Sequence, residues 1–459
     1  MKSVAIIGGG ITGLTAAFYL KRAGLPVTVY EAGNHAGGVI QSFRQDGYLA
    51  ESGPNTILET SPKVGQLVRD AGLESRRLDP APTAEARYVV RYKRPIQMPG
   101  SPLGFLTTEL FSLKAKLAVL REPFVPPRRD GKEESIAEFV TRRLGQEFLD
   151  HAIDALVAGV YAGDPWKLSV AQAFPKLAQL EAKYGSLIKG QILGARERQK
   201  RGEIAKDRAP KFSFDEGLQV LPDTLREYLG EAVRFNTSVC KLEQAAEGWT
   251  LQLRDSAGES SAEHSAVIYA GTAHGLAKLE FNARVPVNFA AFSEIRCPPV
   301  ASVVLGFRRE DVSHPCEGFG ALIPKIEGFK ILGTIFSSSL FPNRAPAGHL
   351  TLTSYIGGER HPELASLPED ELVALTCEDL RVLLGVKGKP TFHRCAFYPK
   401  AIPQYNVGYG RNRDLMNQTE ASLPNLFFAG HYRDGISLSD SIVSGCNIAE
   451  RVKGFISSV

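Results

Sequence analysis

Residues 3–31 run strand, glycine turn, helix and second strand, the order that builds a dinucleotide cradle, and no other stretch constrains the fold as strongly. Ser3-Val4-Ala5-Ile6-Ile7 is an apolar run suited to a buried parallel strand. Gly8-Gly9-Gly10-Ile11-Thr12-Gly13 follows as G-x-G-x-x-G. Gly8 permits the tight turn, Gly10 lets a diphosphate reach the backbone, and Gly13 lets the helix lie close on the sheet. The helix is expected from about Leu14 to Ala23, with Gly24 as its stop. Its amide end would face the phosphates. Pro26 to Tyr30 gives the second strand, ending in Glu31. An acid there accepts from a ribose diol and repels a ribose phosphate, which disfavours NADP. Gly37-Gly38, followed by Ser42, continues the pattern where a flavin dinucleotide brings its second phosphate and ribitol close to the chain. The unit reads as a flavoenzyme's.

At 459 residues the chain has room for about three domains. A net charge of +4, with no RNA- or DNA-binding motif, gives no reason to expect a nucleic-acid partner. Cys240, Cys297, Cys316, Cys377, Cys395 and Cys446 are widely spaced, and the nine histidines form no H-x-x-x-H pair. Neither a metal nor a disulfide framework is expected, and a reducing compartment fits. The first strand begins almost at Met1, leaving no room for a removable leader, and no apolar run reaches about 18 residues. The expected location is cytoplasmic.

The charge is uneven. Arg87 to Lys132 holds ten Lys or Arg against Glu109, Glu122 and Asp130, an excess of +7. Phe105, Leu106, Leu110, Phe111, Leu113, Leu117, Leu120 and Phe124 are interleaved with them. This is the pattern of a helix lying on an anionic bilayer surface. A solvated basic face over an ordinary helical core gives the same pattern.

Thr107 to Arg208 is helical in periodicity, and Gly217 to Leu229 reads as another helix. Ala232 to Leu242 and Trp249 to Arg254 read as a strand pair, and Ala266 to Ala270 as a returning buried strand. From Val300 to Gly357 the chain alternates as strands do, which suggests a separate antiparallel sheet. Leu426 to Gly430 is a short buried strand, and Ser439 is placed to cap a helix from about Asp440 to Phe455.

Several segments together resemble the protoporphyrinogen oxidases, within the wider flavin family that also holds amine oxidases and phytoene desaturases. They are Glu51-Ser52-Gly53-Pro54-Asn55, Gly159-Val160-Tyr161-Ala162-Gly163-Asp164-Pro165, Phe174-Pro175 and Lys183-Tyr184-Gly185-Ser186-Leu187-Ile188. Gly333 to Pro342 and Ala401-Ile402-Pro403-Gln404-Tyr405 extend the likeness over nearly the whole chain.

The resemblance implies an α/β chain (α+β overall): a Rossmann-like FAD-binding domain, a mixed-sheet substrate domain and an all-helical insert. The expected limits are 1–85, 210–272 and 420–459 for the first, 86–106 and 273–419 for the second, and 107–209 for the third. FAD contacts carried over from the family fall on Gly8, Gly9, Gly10, Ile11, Thr12, Gly13, Glu31, Ala32, Gly37, Gly38, Val39, Gly53, Pro54, Asn55, Thr56, Val239, Ile436, Ser437 and Leu438. Substrate contacts fall on Arg87 for a propionate, the Gly159 carbonyl for pyrrole N–H groups, Leu322 and Ile335 on either side of the macrocycle, and Tyr355. Many relatives carry phenylalanine where Tyr355 stands, and a Pro-containing turn where Gly271-Thr272 stands.

The implied reaction is FAD-dependent oxidation of protoporphyrinogen IX by dioxygen, giving hydrogen peroxide. The resemblance leaves room for a homodimer and for peripheral attachment to the cytoplasmic membrane face. Coproporphyrinogen III is the alternative substrate. An amine oxidase would want an aromatic pair near His431-Tyr432, and none is evident there. A binding module that had lost its flavin would not need Glu31, Gly37-Gly38 and Ile436 to Ser439 intact, and a yellow purified protein would exclude it. No His–carboxylate pair or nucleophile motif demands a general base, so no protein side chain is named as catalytic.

Overall fold

The computed structural model describes residues 2–201 and 209–458. The architecture is mixed α/β, built around two large sheets with a helical region beside them.

The first sheet has five parallel strands in the order Val233–Arg234, Val27–Tyr30, Val4–Ile7, Ala266–Tyr269 and Leu426–Phe428. Its central strands are apolar throughout because both faces are covered. On one face Val4, Ile6, Val29 and Ile268 pack with Leu14 and Phe18 of the helix Ile11–Arg22 and with Ile442 and Val452 of the helix Leu438–Ser458. On the other, Ala5, Ile7, Val267 and Tyr269 meet Leu242, Trp249 and Leu251 of a four-stranded sheet.

Ala232 to Leu242, expected as one strand, is two. Val233–Arg234 joins the parallel sheet and Ser238–Ala245 joins the four-stranded one. Asn236, at φ 51°, turns the chain between them. Glu280–Asn282 pairs with residues 241–243, so the chain just beyond the expected boundary at 272 still packs on the nucleotide side.

The second sheet has seven strands in the order Phe392–Tyr398, Val300–Arg308, His349–Gly357, Ile331–Ile335, Gly320–Leu322, Arg87–Arg91 and Arg94–Gln97. It is mixed, not purely antiparallel, since Gly320–Leu322 runs parallel to Arg87–Arg91. Ala301, Val303, Leu305, Phe307, Leu352 and Ile356 point to one core, closed by Leu372, Leu380 and Leu383 of the helix Glu369–Leu384. The expected polar alternation is missing from Val300 to Phe307, where every residue is buried. Along this central strand the second face packs on the rest of the protein, Val304 lying in one cluster with Tyr48 and Ala50.

Residues 107–201 are helical in pieces. The helices Leu113–Arg121 and Ile136–Leu144 start at Ser112 and Ser135, and Ser135 forms a capping box with Glu138. A 3-10 turn over Glu122–Phe124 and a loop separate them, and a π-helical turn over Leu149–Ile153 leads into the helix Asp154–Tyr161. Residues 202–208, the end of the expected helical stretch, lie outside the described residues.

Candidate flavin and substrate site

The glycine turn follows the strand Val4–Ile7 and is shaped by its neighbours. Gly8 has φ +109°, and a Cβ there would sit 2.9 Å from the Ala270 oxygen. A Cβ on Gly13 would come within 2.0 Å of the Gly8 oxygen, so helix and strand touch through it. A Cβ on Gly10 would meet nothing within 4 Å. That open space beside a helix amino end is what a diphosphate requires. Gly37 closes the cradle by donating to the Gly9 carbonyl at 2.9 Å. The Glu31 carboxylate is held in place by the amides of Gly9 (2.6 Å) and Gly33 (2.7 Å). Ala32 and Val39 are exposed at the rim. The Thr237 amide donates to the Glu31 carbonyl at 2.9 Å, which brings the strand holding Val239 alongside.

Both ends of the chain meet at this cradle. Thr12 Oγ1 donates to the Ser441 carbonyl at 3.0 Å, and a Cβ on Gly445 would lie 2.6 Å from the Thr12 oxygen. The last helix begins at Leu438, two residues earlier than expected. Ser437 is the residue that caps it, its Oγ accepting from the Asp440 amide at 3.1 Å. Ser439, expected as the cap, instead bonds the Leu58 amide at 3.1 Å and the Leu58 carbonyl. Ile436, Ser437 and Leu438 therefore stand at a helix amino end tied to the strand Ile57–Leu58.

Gly53, Pro54, Asn55 and Thr56 connect the strand Tyr48–Glu51 to Ile57–Leu58. The segment is gripped from the seven-stranded sheet at two points. Asn55 Nδ2 donates to the Tyr355 hydroxyl at 2.6 Å, and that hydroxyl donates to the Gly53 carbonyl at 3.2 Å. At the other end Glu51 and Arg344 form a buried pair 3.5 Å apart. Glu51 also accepts from Ser42 Oγ (2.6 Å) and the Leu218 amide (2.9 Å). Burial pushes the Glu51 carboxyl up, and Arg344, Ser42 and Leu218 oppose it. Burial likewise raises the Tyr355 hydroxyl, which keeps it a neutral donor.

The register of the second sheet groups the expected substrate residues. Leu322 lies opposite Gly333, and Gly333 opposite Tyr355. Gly320 lies opposite Ile335 and beside Arg87. Paired residues, and residues two apart, share a face. Arg87, Leu322, Ile335 and Tyr355 therefore stand on one face, each half-buried. Gly159 comes to the same place from the helical region, where a Cβ on it would lie 2.4 Å from Leu322 Cδ2. It lies in the last turn of the helix Asp154–Tyr161, where carbonyls have no helical amide ahead of them.

The chain matches the family model for flavin containing amine oxidoreductase over residues 11–453. The chain belongs to that family. This flavoenzyme is an FAD-dependent oxidoreductase, in keeping with a cradle whose open space and fixed acid suit FAD. It is 35% identical to protoporphyrinogen oxidase 2, chloroplastic/mitochondrial, of Arabidopsis thaliana, over 100% of this chain and 95% of that protein. It is 30% identical to coproporphyrinogen III oxidase of Bacillus subtilis (strain 168), over 97% and 96%. A crystal structure from Exiguobacterium sp. 255-15 shares its fold, with a TM-score of 0.82 at 22% identity and 98% of each chain covered. Reduced UDP-galactopyranose mutase does too, at 0.74 and 15%, over 99% of this chain and 96% of the other.

Arg344 and Tyr398, beside the Gly53 segment, carry no sequence signal. Arg344 follows a loop and pairs with a residue 293 positions away. Tyr398 ends the edge strand Phe392–Tyr398, with its hydroxyl 3.6 Å from where a Gly53 Cβ would stand. His431 follows the strand Leu426–Phe428, and burial lowers its imidazole to about 4.

Proposed function

We propose that this flavoenzyme oxidises protoporphyrinogen IX to protoporphyrin IX in repeated turnovers, with dioxygen as final acceptor and hydrogen peroxide as by-product. The observation that carries the reading is the single sheet face that presents Arg87, Leu322, Ile335 and Tyr355, with Gly159 pressed against Leu322. Homologues named for protoporphyrinogen and for coproporphyrinogen III oxidation support the substrate class.

Arg87 would pair with a propionate through its planar fork of donors. Leu322 and Ile335 would flank the macrocycle and keep water from the bridge carbons. The Gly159 carbonyl, at the negative end of its helix, would accept from pyrrole N–H groups and hold the ring in plane. FAD bound in the cradle would take up the hydride that leaves a bridge carbon. The Tyr355 and Asn55 side chains would hold the Gly53–Asn55 backbone in place beside it. The amide end of the helix at Leu438 would favour negative charge there. Pyrrole protons would leave to solvent as the ring aromatises.

The same reading takes the surface around residues 103–124 as a peripheral membrane contact. Leu103, Leu106, Leu113, Leu117, Leu120 and Phe124 are exposed, Leu113 by 74% and Phe124 by 84%, among basic residues. An apolar product would leave most easily toward lipid. Leu110 and Phe111 are buried and belong to the local core. No helix among the described residues is long and apolar enough to cross a membrane.

The test is to supply anaerobically prepared protoporphyrinogen IX and coproporphyrinogen III in parallel and follow porphyrin fluorescence and oxygen uptake. Turnover of the first with matched oxygen loss is expected. Preference for the second would reassign the substrate, and turnover of neither would sink the reading.

A further inference from the structure

Lys211 opens the strand Lys211–Phe214 and pairs with Leu58, the residue that Ser439 fixes to the last helix. Its ammonium lies 5.8 Å from the centre of the Phe319 ring. Phe319 joins the two large parts of the site. Its amide donates to the Ala86 carbonyl at 2.7 Å, next to Arg87, its carbonyl accepts from the Phe336 amide at 3.0 Å, and it packs, as Ile335 does, against the cluster of Ala84, Leu340 and Phe341. Phe319 thus brings Lys211 and the chain at Arg87 to the same end of the second sheet.

Both are half-buried. Burial lowers the Lys211 ammonium, Arg87 lowers it further, and Glu85 opposes both. A carboxylate placed between two such cations favours the charged form of both.

We propose that Lys211 and Arg87 form a paired-cation site that takes the carboxylates on one edge of the substrate, with the ring edge resting on Phe319 and Ile335. The inference rests on the porphyrinogen reading and adds to it a residue that sets specificity for free carboxylates. Two cations on one edge suit a molecule whose acid side chains lie on adjacent rings. Lys211 touches the substrate's periphery, far from the bonds that react, so it sets affinity and orientation, not the chemical step.

The experiment is equilibrium binding of protoporphyrin IX and of its dimethyl ester to the FAD-loaded protein, read by quenching of porphyrin fluorescence. Wild type should bind the diacid more tightly than the diester. Lys211→Gln should weaken the diacid about tenfold and leave the diester unchanged, since one hydrogen bond to a charged group is lost. Lys211→Arg, which keeps the charge, should retain the preference. FAD content and melting temperature of each variant verify that it is folded. If Lys211→Gln discriminates as wild type does, the paired site is overturned while the porphyrinogen reading stands. If wild type binds neither porphyrin, that reading falls and takes the inference with it.

Discussion

The hydroxyl of Tyr355 accepts from Asn55 Nδ2 at 2.6 Å, joining residues 300 positions apart across the boundary between the two large sheets. It also donates to the Gly53 carbonyl at 3.2 Å. Tyr355→Phe removes both bonds and keeps the ring. We expect FAD affinity to fall about fivefold, the equivalent of about 1 kcal/mol for a net hydrogen bond. KM for the porphyrinogen should stay close to wild type. Visible circular dichroism of the bound flavin measures the change directly. An unchanged spectrum together with unchanged FAD affinity would show that the hydroxyl positions nothing.

Glu31→Ala should weaken FAD by about tenfold to a hundredfold, since a charged acceptor contributes roughly 1.5–3 kcal/mol. The Gly9 and Gly33 amides lose their acceptor with it, and since Gly9 is buried a modest loss of stability accompanies the change. Gel filtration at high dilution, with flavin absorbance of the protein peak, gives the answer.

Arg87→Ala should raise KM while flavin content holds, with kcat little changed if the carboxylate contact is equal in ground and transition states. Arg87→Lys should recover part of the loss, because a single ammonium cannot reproduce the fork. Steady-state kinetics on all three proteins decide it, and an alanine variant with wild-type KM would remove Arg87 from the site.

Vesicles of anionic lipid should pellet the protein, and neutral vesicles should not. The structure sorts the basic residues for this test. Lys116 bonds the Leu106 and Thr108 carbonyls, and Arg128 pairs with Asp130 and Glu134, so those two support the fold. Lys114, Arg121 and Arg129 are the ones to reverse to glutamate, alongside Leu113→Ser and Phe124→Ser. Each basic group near such a surface contributes about 1 kcal/mol, eroded by salt. Equal pelleting of all variants would mean that this surface is not the contact.

Stability should decline in mild acid because of His431. Burial lowers its imidazole from 6.5 to about 4, so below 6.5 the unfolded chain takes the proton first. The contribution is full above about pH 6.5 and is lost progressively toward pH 4. It amounts to at most about 3 kcal/mol, and less because His431 keeps some exposure to solvent. Urea midpoints at pH 7 and pH 4.5 should differ less in His431→Gln than in wild type.

The legible parts of the fold and site are those whose cause is local. Gly8, Gly10 and Gly13 each answer a requirement set within a few residues, so their spacing announces the cradle. Asn236 shows the limit: its turn splits an apolar run that reads as one strand. Ser439 reads as the cap although Ser437 fills that place, because both suit one and only the position of Leu58 separates them. Arg344 and Lys211 depend wholly on partners brought in by topology, Glu51 for one and Phe319 with Arg87 for the other. The resemblance names Arg87, Leu322, Ile335 and Tyr355 one by one, but that they share a face is visible only in the strand register, which cannot be counted from the sequence alone.

The contact between Thr12 and the helix carrying Ser441 and Gly445 also sets an order of events. The first wall of the cradle leaves the ribosome early, yet it must wait for more than four hundred further residues before its opposite wall exists. Until then the apolar side of the helix Ile11–Arg22 lacks its largest partner, a burden typical of chains closed by distant contacts. Cofactor capture is therefore a closing event of biosynthesis, and a chain halted shortly before residue 438 would emerge colourless however well its earlier parts had folded.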